Sequence, residues 1–493
     1  MKYKITGLVS VILAFCIAAG GLLITRTDGR RVRCHQHIER QPYTACTDHG
    51  ADVFCTHLPV ICIDTGGEEI PGRKIKAHHG NKKFTTTSDG QSRITARVKV
   101  FDSKTGNNHL TDTSALESKA IVNVRGNSSR AFDKSNYSVR LITESGENNS
   151  QEMMGMAAHH EWVLHGPFMD KTLIRNYMWY NISGEIMEWA PNVRFCEVFI
   201  NGEYNGVYVM TETVTAGKDG ARLNISIDKK DNSFSGYILR LDRGSDIPEK
   251  NLNTFSQYTG KMTSKMNIVY PGKDSLTEKI KRAVELDCSQ FEKSLYSFDF
   301  NHKDYGYRAN IDTGSFADYF LINEITSNYD AGVFSTYIYK DLSNRYKMCV
   351  WDFNSVCDGY EEAAVNPHTF QLQNCPWFYM LTKDRAFVEQ IIKRYQELRK
   401  TYFSDEYMTE YIDDTVAYLG PAIERNFEKW GYTFDEDYCL LIPHERDIHS
   451  YEEAVRLLKE YLLERADWMD KNIYTLKQYC EESKDKRFDE NAN

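Results

Sequence analysis

The stretch NVRGNSSRAFDK, from Asn123 to Lys134, passes from a strand-forming sequence into a glycine- and serine-containing loop. Residues 120–124 are rich in β-branched side chains and predict a strand, and the glycine and serines that follow predict a tight turn. Small residues let backbone N–H groups approach an anion, and Arg125 and Arg130 add positive charge beside them. The stretch therefore fits an anion-binding loop or, alternatively, a polar hairpin turn with solvated arginines.

Further strands are predicted on both sides of this loop. Apolar residues alternate or cluster over residues 58–63, 94–100, 137–141, 195–200, 207–210 and 236–241. The glycine-containing segment 201–206 joins two of these strands into a hairpin. A helix over residues 173–189 interrupts the series, so the first half of the chain is predicted to be mainly β.

Helical spacing of apolar residues dominates the second half of the chain. It predicts helices over residues 277–296, 314–328 and 385–402, and a final helix capped by Ser450. Ser450 and Glu453 form a capping box, in which each side chain is expected to bind the other residue's backbone N–H. The fold class is therefore α+β, with a β-rich lobe over about 58–245, an α-rich lobe over about 246–475 and a polar tail over 476–493.

The N-terminal residues predict a membrane anchor. Lys2 and Lys4 precede 20 uncharged residues, Ile5–Ile24, which as a helix would extend about 30 Å and cross a bilayer. Residues 1–24 are therefore interpreted as a transmembrane signal-anchor, with a cleaved signal peptide as the alternative. We expect a single-pass membrane protein with its body outside the cytoplasm, or a secreted form if the N-terminus is cleaved.

Residues 25–57 form a polar linker that contains several Cys and His residues. Cys and His at short spacing can bind zinc, but the spacings in this linker match no usual zinc motif. A juxtamembrane stalk with incidental or disulfide-forming cysteines is the alternative. The chain has 12 cysteines and no CxxC pair, which leaves its redox compartment open.

Composition and missing motifs exclude several classes of protein. The 493 residues carry 60 basic and 70 acidic side chains, a net charge of −10, so we expect no binding to nucleic acid. Hydrophobic residues make up 41% of the chain, which is enough for a globular core. The P-loop, Rossmann, zincin and hydrolase-elbow motifs do not occur, so those simple interpretations lose their main support.

Two aspartates in the second half carry the main chemical hypothesis. Asp330 follows a predicted helix, and Asp352 ends a predicted strand 22 residues later. A two-stranded excursion between them can return both carboxylates to one end of a sheet. Two carboxylates placed together repel each other unless a divalent cation or a proton holds them, and such a pair serves phosphoryl transfer. The alternative is that both are ordinary solvated acids.

At these residues the sequence resembles the CotH kinase family, atypical protein kinases named after spore coat protein H. The matching stretches occur in family order over most of the chain, from about residue 58 to 473. They include VRGNSS (124–129) with Lys134, EWVLHGP (161–167), VFINGEYNGVY (198–208) with Glu212, NE (323–324) with Asn328 and Asp330, VWDF (350–353) and RNFEKW (425–430).

The resemblance implies a divergent protein-kinase-like fold that uses ATP and Mg²⁺, with Mn²⁺ as a second candidate metal. Its reaction would transfer the γ-phosphate to Ser or Thr hydroxyls of surface or coat proteins. By the same resemblance, Asp330 would be the catalytic aspartate beside the acceptor hydroxyl. Asp352 would bind the metal, together with Asn354.

The resemblance also implies a phosphate-binding set. Arg125 and Lys134 would contact phosphates, Ser128 and Ser129 would donate hydrogen bonds from their hydroxyls, and Glu212 would pair with Lys134 or help to hold metal. The expected nucleotide contacts are therefore Arg125, Ser128, Ser129, Lys134 and Glu212.

Two residues depart from the family pattern. Asn354 stands where the family often has a second acid, and Asp133 precedes Lys134 where the family often has proline. Asparagine ligates Mg²⁺ with less charge than a carboxylate does. The Asp133 carboxylate would compete with phosphate for Lys134. Both departures would lower catalytic activity. The alternative function is a non-catalytic cell-surface or coat-assembly adhesin that retains the fold.

Overall fold

The computed structural model describes residues 33, 35–37, 53–75, 83–103, 106–218, 221–260 and 264–481. The chain divides into a unit from Met1 to Cys34, of which Arg33 alone is described, and a unit from His35 to Asn493. All elements below belong to the second unit. The predicted anchor, most of the predicted linker and the end of the predicted tail lie outside the described residues.

Seven strands of the first half form a closed barrel. They are β1 (Val60–Asp64), β2 (Ile94–Phe101), β3 (Leu116–Arg125), β4 (Asn136–Ile142), β5 (Glu161–His165), β6 (Val193–Ile200) and β7 (Glu203–Glu212). The order around the barrel is β5–β7–β6–β1–β2–β3–β4, and β4 pairs back with β5. The β6–β1 pair is parallel and the other pairs are antiparallel. Closure leaves none of these strands as an exposed edge.

Side-chain alternation decides which residues of the barrel face inward. In β3, Ala120, Val122 and Val124 are buried in the barrel interior. Ile121 and Arg125 therefore lie on the outer face, because successive strand side chains point to opposite sides. The predicted strands of the first half are thus found, and their outer face becomes one wall of the candidate site.

One long helix of the first half, α1 (Arg175–Ile186), is buried on almost every side. Its Tyr177 ring stacks on Phe195 of β6, with ring centroids 4.1 Å apart. A helix that is buried all round lies inside a fold rather than on its surface. This position brings α1 against the segment that carries Asp352.

A second sheet has four antiparallel strands in the order β9–β8–β10–β11. They are β8 (Tyr237–Asp242), β9 (Lys265–Tyr270), β10 (Thr336–Lys340) and β11 (Tyr346–Cys349). This sheet joins strands from both sides of residue 245, where the sequence placed the boundary between the two lobes. Asp352 lies just beyond the end of β11, since that strand ends three residues earlier than the predicted one.

Helices dominate the remainder of the described second half. They are α2 (Glu278–Leu295), α3 (Thr313–Ile325), α4 (Arg385–Leu398), α5 (Asp405–Leu419), α6 (Pro421–Trp430) and α7 (Tyr451–Asn472), with short helices at Phe255–Tyr258 and Pro376–Leu381. Side-chain caps begin five of them, from Thr277, Asp312, Asp384, Ser404 and Ser450. Minor two-stranded pairs are Cys55–Thr56 with Asn108–His109, Lys74–Ile75 with Lys83–Phe84, Gln151–Met153 with Met156–His159, and Ile227–Asp228 with Ser233–Phe234.

A buried ion pair ties α3 to α7. Arg465 and Glu324 are both fully buried, and their side chains are 2.9 Å apart. Glu324 also accepts from the backbone N–H of Leu372 at 2.7 Å, and Arg465 donates to the carbonyl of Thr369 at 2.7 Å. The pair therefore fixes the segment before the Pro376–Leu381 helix.

The prediction of an α+β fold is confirmed, and the two-lobed kinase arrangement stays a prediction. The capping box is half correct: Ser450 Oγ accepts from the N–H of Glu453 at 3.0 Å. The Glu453 carboxylate accepts from the N–H of His449 at 2.9 Å rather than from Ser450. Within the described part of the chain, no helix is long and apolar enough to cross a bilayer.

Candidate active site

A cleft of about 490 Å³ lies between the outer face of the barrel and the four-stranded sheet. The loop after β3 lines it from the barrel, and residues at the ends of β8, β10 and β11 line it from the sheet. We call it the acidic cleft because five carboxylate side chains line it: Asp242, Asp246, Asp330, Asp352 and Glu361.

The barrel wall of the acidic cleft is a row of residues on three adjacent strands. Arg125 of β3 pairs with Asn136 of β4, and His165 of β5 continues the row. Arg125 extends over the ring of Trp351, with its guanidinium carbon 5.6 Å from the ring centroid. The strand register thus places Arg125 on the face of the barrel that is turned toward the four-stranded sheet.

The loop after Arg125 has the tight backbone that its sequence predicts. Gly126 has φ +113°, and a Cβ at this position would collide with the Ser129 hydroxyl. A short helical turn, Ser128–Ala131, follows. Ser128 and Ser129 both line the acidic cleft, so the loop holds its hydroxylated residues on the wall opposite the acids.

The structure brings Asp330 and Asp352 together in the acidic cleft. Burial raises the pKa of Asp352 to about 6; Arg125 opposes this shift, and the charges of Asp330 and Asp242 add to it. Burial also raises the pKa of Asp330, with Arg243 opposing and Asp242 reinforcing. The neighbouring carboxylates therefore disfavour ionisation of Asp352 and Asp330, as expected for acids gathered around a site for a cation.

The backbone at Asp352 is held in an unusual conformation. Its φ is +65°, in the left-handed region that residues other than glycine rarely adopt. The Asp352 N–H donates to the Tyr180 hydroxyl at 2.9 Å, and the N–H of Phe353 donates to the side-chain oxygen of Asn176 at 2.9 Å. Two side chains of the buried helix α1 therefore fix the direction of the Asp352 carboxylate.

A buried ion pair holds the segment that follows. Arg175 donates to Asp170 at 2.6 Å, and its Nε donates to the carbonyl of Val356 at 2.9 Å. Both charged side chains are almost fully buried. The structure thus places Arg175 beneath the turn that follows Asp352.

Asp330 lies in a loop beyond the end of α3. Asn328 anchors this loop, because its side-chain amide donates to the side chain of Asn323 at 2.9 Å. The backbone carbonyl of Asp330 accepts from Phe334 at 2.7 Å. Among the described residues, no hydrogen bond or ion pair engages the Asp330 carboxylate, which leaves it available to a ligand in the cleft.

The oxygen donors of the acidic cleft fit a hard divalent cation. Asp242, Asp330 and Asp352 supply carboxylates, and Asn354 also lines the cleft. The Asn354 amide nitrogen donates to Ser355 at 3.0 Å, so its carbonyl oxygen is the atom left for a metal. Carboxylate and amide oxygens are the protein ligands that Mg²⁺ takes.

Two predicted site residues do not line the acidic cleft. Lys134 is 1% exposed and donates to the side-chain oxygen of Asn426 at 2.6 Å, and burial lowers its pKa well below the usual range. Glu212 is fully buried in an ion pair with Arg222 at 2.9 Å. The predicted pair of Lys134 and Glu212 is not found: Lys134 binds Asn426, and Glu212 binds Arg222.

Sequence reasoning missed Asp242, the third carboxylate that acts on Asp330 and Asp352. It ends β8, within a strand that the sequence did predict, and its N-terminal neighbours are buried. A carboxylate at a strand end was the available signal, as it was for Asp352. The pairing of β8 with β10 is what places it beside the other two acids, and no local pattern shows that pairing.

A second cleft of about 500 Å³ adjoins the acidic cleft and shares Arg125, Tyr337 and Trp351 with it. Apolar side chains such as Val163 and Val214 line part of it. His159, His160 and Glu161 also meet in this cleft with metal-ligand spacing.

Those three residues do not make a convincing metal site. His159 Nδ1 accepts from the N–H of Glu161 at 2.9 Å, and its Nε2 is 3.3 Å from the carbonyl of Ala216. Both ring nitrogens of His159 are therefore engaged within the protein.

Comparison with known proteins gives one result that bears on this site. The model of the family described as CotH kinase protein matches residues 122–469, which is more than half of the chain and includes all residues of the acidic cleft. A search of the curated proteins finds no match.

Proposed function

The chain belongs to the CotH kinase family, and we propose that it is an atypical protein kinase that transfers the γ-phosphate of ATP to Ser or Thr hydroxyls of surface or coat proteins. The observation that carries the proposal is the meeting of Asp242, Asp330 and Asp352 opposite Arg125 in one cleft. Phosphates require cations and a divalent metal requires carboxylates, and the two walls of this cleft offer both.

The acidic cleft would hold the triphosphate. Asp352 and Asn354 would bind Mg²⁺, or Mn²⁺, with Asp242 beside them, and Arg125 would contact the phosphates. The metal would supply positive charge that neutralises the phosphate oxygens. The base would pack against Trp351 and the apolar residues of the second cleft.

Lys134 and Glu212 would act from behind this site rather than on the nucleotide. Lys134 follows the loop after β3 in the chain, and its ammonium group donates to the side chain of Asn426. Glu212 ends β7 and holds Arg222. These contacts support structural roles for both residues.

Asp330 would accept the proton of the acceptor hydroxyl. The hydroxyl oxygen forms a bond to the γ-phosphorus, the bond from that phosphorus to ADP breaks, and the hydroxyl proton moves to the Asp330 carboxylate. A carboxylate without a partner in the protein can approach the acceptor, and a pKa raised by burial makes it a better proton acceptor than an exposed aspartate. Positioning by the loop of Asn328 would keep this group in place.

The test is phosphate transfer by the full chain. The chain is incubated with labelled ATP, Mg²⁺ or Mn²⁺ and a protein rich in Ser and Thr. Asp330→Asn and Asp352→Asn should each lower incorporation by about 100-fold or more, since each removes a group that acts on the transition state. Asp437→Asn, at an exposed position away from both clefts, is the matched control. Undiminished incorporation in Asp352→Asn would refute the proposal.

A specific residue favours the second candidate function, a non-catalytic adhesin. Asn354 stands where an acid would add negative charge for a second metal, so the acidic cleft holds one carboxylate fewer at that position. Thermal denaturation separates the two functions, because a ligand that binds only the folded state raises its melting temperature. No rise with ATP and either metal would favour the adhesin.

The location of the protein is a separate proposal, which rests on the sequence of residues 1–24. We propose that residues 1–24 anchor the chain in a membrane and that the body faces the outside, where surface or coat proteins are its substrates. Labelling of intact cells at an engineered surface cysteine, Asp437→Cys, tests the orientation. Labelling only after the cells are permeabilised would place the body in the cytoplasm.

A further inference from the structure

The second cleft is lined by several positively charged side chains, although a nucleoside is uncharged and needs none of them. Four cationic side chains line it: Arg93, Arg125, Arg140 and Lys250. Glu161 is the single carboxylate among its described lining residues. The acidic cleft beside it has the opposite balance, so the two clefts are complementary in charge.

The cations of the second cleft outnumber the carboxylates beside them, since Glu161, opposite Arg140 in the strand register, is the one acid among the described lining residues. Within the described ranges, Arg93, Arg140 and Lys250 take part in no ion pair. Lys250 donates to the carbonyl of Val269 at 3.1 Å, which uses one of its three hydrogens. The Nε of Arg140 is buried without a hydrogen bond partner in the protein, so it is available to a ligand in the cleft.

Cations elsewhere on the barrel surface behave differently. Lys119 lies 2.5 Å from Glu144, and Arg97 lies within 3.9 Å of both Glu117 and Glu144. Arg97 lies on β2 and Lys119 on β3, and β3 also lines the second cleft. The unpaired state of the cleft cations is therefore local to the cavity.

Strand register explains why these cations converge. Arg140 of β4 is directly opposite Ile121 of β3 and Glu161 of β5, and all three side chains point away from the barrel interior. Arg93 immediately precedes β2, which pairs with β3. Lys250 reaches the same cavity from the segment between β8 and β9.

We propose that the second cleft contains an anion subsite, formed by Arg93, Arg140 and Lys250, that binds a phosphate group other than the triphosphate of the acidic cleft. A phosphate offers oxygens in the geometry that guanidinium groups bind in pairs. The phosphate is either carried on the ribose of the bound nucleotide or belongs to a separate phosphorylated ligand. The ribose alternative rests on the proposed nucleotide site, whereas binding of phosphate by the three cations can be measured without kinase activity.

Calorimetric titration of the full chain with inorganic phosphate tests the subsite directly. Arg140→Gln should weaken phosphate binding by about tenfold, the effect of losing a charge-assisted pair of hydrogen bonds. Arg97→Gln, which removes a paired cation from the same barrel, should leave it unchanged. Equal weakening in both variants, or no binding by the wild type, would overturn the proposal. Melting temperatures confirm that the variants are folded.

Two further titrations identify the source of the phosphate. If ATP with an added 3′-phosphate binds about tenfold more tightly than ATP, and Arg140→Gln removes that gain, the group is on the nucleotide. If inorganic phosphate still binds in the presence of saturating ATP and Mg²⁺, the group belongs to a separate ligand. Displacement by ATP without any gain from the 3′-phosphate would show that the cations serve the triphosphate, and the proposal would be wrong.

Failure of the kinase proposal can be recognised separately. Asp352→Asn changes the acidic cleft and leaves every cation of the second cleft in place. Phosphate binding that persists in this variant supports the subsite even if no kinase activity is found. Phosphate binding that disappears with Asp352 would place the anion in the acidic cleft and overturn the subsite.

Discussion

The replacement Asp352→Asn is expected to stabilise the metal-free protein while it abolishes the response to Mg²⁺. Burial and the charges of Asp330 and Asp242 raise the pKa of Asp352 to about 6, against about 3.9 for an aspartate in water. At neutral pH the folded protein must therefore hold a charge that its surroundings disfavour. Asparagine keeps the shape of the side chain and removes that charge.

The magnitude follows from the pKa difference. The gap between about 3.9 and about 6 corresponds to about 3 kcal/mol of folding free energy. Partial access of solvent to the cleft reduces this value, so we expect a gain of about 1–3 kcal/mol, which is a rise of about 1–5 °C in Tm for a chain of this length.

The sign depends on pH. A folded-state pKa above the unfolded one means that the wild type loses stability as pH rises from about 4 to about 6. The advantage of Asp352→Asn should therefore be absent near pH 4 and complete above about pH 7. Added Mg²⁺ should stabilise the wild type and not the variant, because the cation offsets the repulsion among the acids.

Thermal denaturation of the full chain measures all of these effects. Wild type, Asp352→Asn and the exposed control Asp437→Asn are compared in chelator and in Mg²⁺ at acidic and neutral pH. A variant that is less stable than the wild type in chelator at neutral pH would refute the electrostatic reasoning. So would a stabilising effect that does not change with pH.

Three further predictions concern residues that support the site. Glu324→Gln leaves the buried Arg465 charge unpaired, and chemical denaturation should show a loss of about 3–5 kcal/mol; a loss below about 1 kcal/mol would mean that water reaches the pair. Tyr180→Phe removes the acceptor of the Asp352 N–H, and steady-state kinetics should show kcat reduced by about tenfold, with unchanged kcat contradicting a positioning role. Lys134→Met should alter Tm but not the affinity for ATP, and a large loss of ATP affinity in titration would return this lysine to the nucleotide site.

Local patterns in the sequence predicted much of the secondary structure. Alternation over residues 94–100 corresponds to β2, and the glycine turn at 201–206 corresponds to the hairpin of β6 and β7. The helix predicted over 277–296 differs from α2 by one residue at each end. Strand alternation, turns and caps are local, so neighbouring residues suffice to specify them.

The candidate site was only partly visible in the sequence. The basic loop at Arg125 and the two acids Asp330 and Asp352 carried recognisable patterns, and the structure brings them together. The position of Asp242 at a strand end was only a weak signal, because an acid at the end of a strand is usually solvated. The burial of Lys134 was also not predictable, since a lysine beside a polar turn is ordinarily exposed.

The sequence by itself determined the α+β character, most strands and helices and the chemical types of residue available for a site. Tertiary structure decided which of them meet: the pairing of β8 with β10 places Asp242 beside the other acids, and α1 fixes the backbone of Asp352. It also places Arg140 in the lining of the second cleft and buries Lys134 away from the acidic cleft. These outcomes depend on strand register and on contacts between residues far apart in the chain, which short-range periodicity does not encode.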